Sequence, residues 1–174
     1  AAMTATIGAP LLGSGQLVKE DLGTLILTGL NNYTGGTAIN GGVLQVAGNG
    51  SLGNVAGALS FDGGTLRNTN NFAMARSVTI NQGGATFDAQ GNLILSQPID
   101  GAGSLTKTGA GTLFITGTNT YAGGTAINGG TVSVSSDANL GDAAGALSLD
   151  GGTLRNSAAF ASARGVTLGS GSDS

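Results

Sequence analysis

The 174-residue chain repeats itself at a single offset of 88 residues, and that periodicity limits its possible folds more than any other feature. Gly23-Thr-Leu-Ile-Leu-Thr-Gly29 returns as Gly111-Thr-Leu-Phe-Ile-Thr-Gly117, and Tyr33-Thr-Gly-Gly-Thr-Ala-Ile-Asn-Gly-Gly42 returns as Tyr121-Ala-Gly-Gly-Thr-Ala-Ile-Asn-Gly-Gly130. Asp62-Gly-Gly-Thr-Leu-Arg-Asn68 likewise matches Asp150-Gly-Gly-Thr-Leu-Arg-Asn156. Laying residues 13–86 over 101–174 gives 41 identities in 74 positions without a gap. The chain therefore divides into a lead-in segment (1–12), a first repeat (13–100) and a second, truncated repeat (101–174), as expected of a section of a longer array.

Within each copy the apolar residues alternate over four or five positions, as in Leu25/Leu27, Leu44/Val46, Leu59/Phe61, Val78/Ile80 and Leu93/Leu95. Such runs, bounded by Gly, Asn and Asp, predict short half-buried strands. With 34 glycines spread along the chain, helices would be broken almost everywhere. Asn40-Gly41 between two such runs is a fair hairpin signal, which would suit an antiparallel sandwich. A period of many short strands, however, extends a stack naturally and does not subdivide a closed sandwich, so the expectation is an all-β parallel solenoid. At about 22 residues per coil, each repeat would form about four coils and the chain about eight, roughly 38 Å of axis. Asn31, Asn40 and Asn68, with Asn119, Asn128 and Asn156, are candidates for stacked amide ladders.

Composition removes whole classes of chemistry. With no cysteine and no histidine, disulfide frameworks, Cys/His zinc sites and Ser/His/Asp triads cannot be built. Nine acids against six bases leave a net charge of -3 and no basic stripe to neutralise phosphates, so nucleic acid is not an expected partner. No apolar run reaches membrane-helix length. Ala1 to Leu12 lacks the basic start of a signal peptide, placing any export signal outside this chain.

Gly103-Ser-Leu-Thr-Lys-Thr-Gly-Ala-Gly-Thr-Leu-Phe-Ile-Thr-Gly-Thr-Asn-Thr-Tyr-Ala-Gly-Gly-Thr-Ala-Ile-Asn-Gly-Gly130 closely resembles the passenger-associated repeat of bacterial autotransporters. The likeness covers about 30 residues in each copy and includes Lys107, Gly111, Asn119, Tyr121, Gly124, Thr125 and Asn128; the first copy departs where Glu20-Asp-Leu22 replaces Thr108-Gly-Ala110. The resemblance implies a right-handed parallel β-helix displayed on, or released from, the outer surface of a Gram-negative cell. It also implies an outer-membrane translocator barrel in the parent protein and, for an adhesive passenger, a host-surface or matrix ligand. Open coil ends add the expectation of end-to-end or edge self-association.

No catalytic, metal-binding or cofactor-binding residue is assigned, and no cofactor is expected. Asp62 and Asp150 recur in one Asp-Gly-Gly turn and read as turn formers. Asp88 and Asp100 have no second copy in the chain and read as solvated loop acids. Arg67, Arg76, Arg155 and Arg164 could line a track for an acidic glycan, but surface pairing with Asp62 and Asp150, or stem packing, is the expected role. Tyr33 and Tyr121 could stack on sugars, yet lie inside the repeated signature and read as corner residues. Asn32-Tyr-Thr34 and Asn49-Gly-Ser51 match the glycosylation acceptor pattern, which is short enough to arise by chance. The expected function is a non-catalytic structural stalk segment, with a glycan-active β-helix or the stalk of an attached protease as the alternative.

Overall fold

The computed structural model describes residues 3–171, so the first two residues of the lead-in and the last three of the second copy lie outside the described residues. Every strand pairing is parallel, and the strands form three sheets that wrap one core. The long face has nine strands: Thr4–Ile7, Thr24–Leu27, Val43–Val46, Thr65–Asn68, Ala85–Ala89, Leu105–Thr108, Thr125–Ile127, Leu147–Leu149 and Val166–Leu168. The second face stacks Phe72–Met74, Leu93–Leu95, Thr112–Ile115, Gly130–Val134 and Gly152–Asn156. The third stacks Leu17–Lys19, Thr37–Ile39, Leu59–Phe61, Val78–Ile80 and Ile99–Asp100. No α-helix occurs among the described residues; Asn49–Leu52 and Asp137–Leu140 are single 3-10 turns.

One register column runs the length of the long face through Thr4, Thr24, Val43, Thr65, Thr86, Thr106, Ala126, Ser148 and Thr167. It marks eight parallel coils of 19 to 22 residues each. The hairpin suggested by Asn40-Gly41 does not form, because Thr37–Ile39 and Val43–Val46 belong to different faces and each pairs with its neighbour one coil away.

A coil is thus about 20 residues rather than 22, and 88 residues make four and a third coils rather than four. Every repeated segment consequently moves on by one face. Thr24–Leu27 lies on the long face and its equivalent Thr112–Ile115 on the second; Thr37–Ile39 lies on the third and Thr125–Ile127 on the long face. Direct equivalents never stand above one another, which is why the expected asparagine ladders are absent. Asn40, Asn128 and Asn156 are exposed, Asn68 is buried with its Nδ2 donating to the Asn70 carbonyl, and only Asn31 and Asn119 reach neighbouring coils.

Inside the prism, alternate side chains from all three faces meet: Leu44, Leu66, Phe87 and Leu105 from the long face, Leu93 and Val132 from the second, Ile39 and Phe61 from the third. Phe61 and Phe87 pack ring to ring at 5.1 Å and 55°. Each such side chain contributes about 1.5–3 kcal/mol by leaving water, and adjacent coils share the same strip of core.

Candidate functional site

Charged groups in a narrow apolar interior must be neutralised or hydrogen-bonded. Here that requirement consumes most of the cations. Arg76 and Arg164, expected to pair at the surface or to pack their stems against the coil, are 3% and 8% exposed. Each guanidinium reaches back one coil into the loop around a 3-10 turn. Arg76 donates to the carbonyls of Leu52 (3.0 Å), Gly57 (2.9 Å) and Asn49 (3.3 Å), and to Asn49 Oδ1 (3.0 Å). Arg164 donates to the carbonyls of Asp142, Gly145 (3.0 Å) and Gly141 (2.7 Å), and forms an ion pair with Asp137 (2.8 Å). Its partner is therefore Asp137 and not Asp150. Burial lowers the Arg76 pKa, and the hydrogen bond from Arg164 holds the Asp137 carboxyl below its ordinary range.

The signature lysines also point inward. Lys107 is fully buried and donates to the carbonyls of Thr108 (2.6 Å), Gly109 (2.8 Å) and Gly129 (3.2 Å); Lys19 donates to Asp21 and, across the coil, Gly41. Burial lowers Lys107 to about 8. Gly42 and Gly130 sit against these ammonium groups at φ +58° and +61°, where a side chain would strike both the lysine and the carbonyls it binds.

Tyr33 and Tyr121 are buried corner residues. Their hydroxyls meet Thr37 Oγ1 (2.7 Å) and Thr125 Oγ1 (2.6 Å), and those threonines donate on to the carbonyls of Leu52 and Leu140. Burial raises both tyrosines, Tyr121 to about 12. Asn31 and Asn119 tie three coils: Oδ1 accepts from Leu11 N and Ile99 N (2.8 Å each), and Nδ2 donates to the carbonyls of Ser51 and Asn139 (2.6 Å each).

Among the acids, Asp62 and Asp150 sit in exposed turns and accept across to the next coil, from Gly83 N (2.8 Å) and Gly171 N (2.9 Å). Asp88 is not a solvated loop acid. It stands in a strand of the long face, 7% exposed, paired with Arg67 at 2.6 Å and with Gln90 Nε2 donating to its other oxygen. Arg67 thus pairs with the next coil and not with Asp62. Asp100 is exposed at the end of Ile99–Asp100. Among the described residues no three acids converge on a common point. Of the glycosylation-pattern residues, Asn49 is engaged by Arg76, while exposed Asn32 accepts from Asn54 Nδ2 at 3.0 Å.

The four arginines do not form one basic track: Arg76 and Arg164 are internal, Arg67 is neutralised by Asp88, and Arg155 stands on the last strand of the second face. It arches over Phe114 on the second face, its Cζ 5.6 Å from the ring centroid. The inward cations are the feature that alternation missed. Their sequence signal was a lone charge embedded among small or apolar residues, as in Met74-Ala75-Arg76-Ser77-Val78. A hollow of about 540 Å³ lies between Met3, Val18, Lys19, Leu22 and Leu25 at the first coils.

The passenger-associated-transport-repeat family matches residues 17–46 and 105–134, the two segments that contain the lysine, asparagine and tyrosine corners. The chain belongs to the autotransporter passengers. It is 47% identical over 132 residues, 75% of its length, to the adhesin BmaC autotransporter of Brucella suis biovar 1 (strain 1330). The chain spans 4% of that relative's length. No solved structure matches it significantly. Autotransporter passengers of this kind are surface-displayed or secreted by Gram-negative bacteria.

Proposed function

We propose that this chain is a non-catalytic β-helical stalk segment of an autotransporter passenger, holding functional surface away from the cell and contributing to adhesion. One observation carries the reading: in both copies the charged signature residues bind backbone carbonyls of neighbouring coils, so they are spent on joining coil to coil and are not presented to a substrate. A relative described as an adhesin supports the adhesive part. The parent protein would carry its own outer-membrane translocator barrel. Stepwise stacking of coils outside the cell would also oppose backsliding during export, since each added coil buries apolar surface on the last.

The stalk reading is tested by length. Joining a further 88-residue unit in register is expected to lengthen the particle by about 21 Å at about 4.8 Å per coil, measured by small-angle scattering. A unit that instead thickens the particle at constant length would reject the stalk. Adhesion is tested separately, by binding of the chain to host-cell and matrix-coated surfaces against a variant with altered outer faces.

A further inference from the structure

Three asparagines in the chain precede a glycine: Asn40-Gly41, Asn49-Gly50 and Asn128-Gly129. The pair is chemically fragile, because glycine has no side chain to shield its amide nitrogen from the asparagine side-chain carbon. The fold sets the three pairs in different surroundings. Asn49 is clamped within the 3-10 turn Asn49–Leu52, where Arg76 Nε donates to its Oδ1 (3.0 Å) and Arg76 Nη2 to its carbonyl (3.3 Å). Asn40 and Asn128 are exposed, and among the described residues their side chains make no hydrogen bond.

Asn40 and Asn128 occupy the same corner of the two copies, but the amide that follows differs. Gly41 is buried, its N–H donates to the Lys19 carbonyl (3.2 Å), and the Glu20 carbonyl stands where a side chain would begin. Gly129 is half-buried, and its N–H donates to nothing among the described residues. A side chain at Gly129 would meet only the Gly109 backbone, at 3.6 Å. The extra room comes from the coil below, where Glu20-Asp21-Leu22 of the first copy becomes Thr108-Gly109-Ala110 of the second. The Asn128 corner is stacked on both sides: Asn128 N donates to the Lys107 carbonyl (2.8 Å), and Asp150 N to the Ile127 carbonyl (2.9 Å).

We propose that Asn128 is a site of spontaneous deamidation, from which Asn40 and Asn49 are protected. The Gly129 nitrogen gives up its proton and attacks Asn128 Cγ; a new N–Cγ bond forms, the Cγ–Nδ2 bond breaks, and the side-chain nitrogen takes up the proton and leaves as ammonia. Water then opens the five-membered imide at either carbonyl, leaving an aspartyl or isoaspartyl residue at position 128. An N–H already held by a carbonyl yields its proton less readily, which protects the Gly41 nitrogen and not the Gly129 nitrogen. Either product puts a carboxylate on an exterior corner and makes the net charge of -3 one unit more negative. The isoaspartyl form also lengthens the backbone just before Gly129, whose carbonyl receives Lys107 Nζ at 3.2 Å, the longest of that joint's three bonds.

The experiment incubates the intact chain in mildly alkaline buffer, digests it with pepsin at acid pH, and measures conversion at each asparagine by tandem mass spectrometry. Position 128 is expected to convert about fivefold faster than position 40, the rate equivalent of one backbone hydrogen bond, with position 49 slowest. The chain unfolded in guanidinium chloride is the control, where the three positions should convert at similar rates. Gly129→Ala places its methyl in the open space against Gly109 and should bring position 128 below position 40, whose own rate stays as it was. Should that variant misfold, the comparison of folded and unfolded wild type alone decides. Equal rates at positions 40 and 128 in the folded chain, faster conversion at 40 or 49, or no conversion at 128 under conditions that convert the unfolded chain would each overturn the proposal.

Discussion

The two copies of the repeat are built from nearly the same residues, yet stand on different faces of the prism. What survives that displacement is a set of corner contacts made between side chains and the backbone one coil away. Lys19 and Lys107, Asn31 and Asn119, and Tyr33 and Tyr121 find equivalent carbonyls and hydroxyls in both settings, and Arg76 and Arg164 share most of theirs, Gly57 and Gly145 among them. What changes is the exterior. Ile26 and Gln45 of the first copy give way to Phe114 and Ser133 in the second, so Arg155 packs over an aromatic ring that Arg67 does not have. A corner held by its neighbouring coils works on any face, because each face offers the same parallel backbone; an outward pair depends on which residue the next coil brings beside it. The interior is thus a repeating joint, and the exterior is free to vary.

If the corners are joints, breaking one should cost far more than altering an outer pair. Arg76→Met removes the guanidinium and leaves the carbonyls of Leu52, Asn49 and Gly57 without their donor. The expected loss is about 3–5 kcal/mol, read as a lower urea midpoint with the β-sheet circular dichroism retained in native buffer. A loss no larger than that of Arg67→Met would deny the distinction between joint and exterior.

Next in size are the asparagines. Asn31→Ala and Asn119→Ala each strand a backbone N–H and a carbonyl on opposite neighbouring coils, for an expected loss of about 2 kcal/mol apiece. Because the contacts are the same in both copies, the two losses should agree within about 0.5 kcal/mol, and they should add in the double variant since the sites are far apart. Unequal losses would show that position in the stack, and not the local joint, sets the energy.

The strands, their short length and the stacked architecture were legible because alternation such as Leu25/Leu27 and Leu44/Val46 reports which side of a strand is buried. The joints were not. Pattern reading places a charged residue outside, and nothing in Arg76 or Lys107 taken alone says that a ring of carbonyls waits one coil away. The advance by a third of a turn was also hidden, since coil length follows from corners such as the loop between Val46 and Leu59, whose reach depends on the 3-10 turn at Asn49–Leu52. Asp62 and Asp150 were readable as residues of an Asp-Gly-Gly turn, but not as acceptors for the backbone N–H of the next coil. Asp88 was unreadable for the same reason, since its partner Arg67 comes from another coil.

The smallest effect separates the two arginine joints themselves. They differ in two ligands: Arg164 faces the carboxylate of Asp137 where Arg76 faces the neutral amide of Asn49, and Arg76 also donates to the Leu52 carbonyl. The Asp137 carboxyl is a quarter exposed, so solvent screening holds the pair to on the order of 1 kcal/mol. Its pKa is lowered in the folded state, so the stabilisation is fully present above the ordinary carboxylate pKa of about 3.9 and is lost as the pH falls below it. Asp137→Asn should therefore lower the urea midpoint at pH 7 and leave it nearly unchanged at the acid end, flattening that part of the stability profile. Asn49→Asp should do the reverse, giving Arg76 a counter-ion that it lacks and adding acid sensitivity to the first joint. Equal acid sensitivity of wild type and Asp137→Asn would mean that the carbonyls alone hold the guanidinium in both copies, and that the acid in the second joint is incidental.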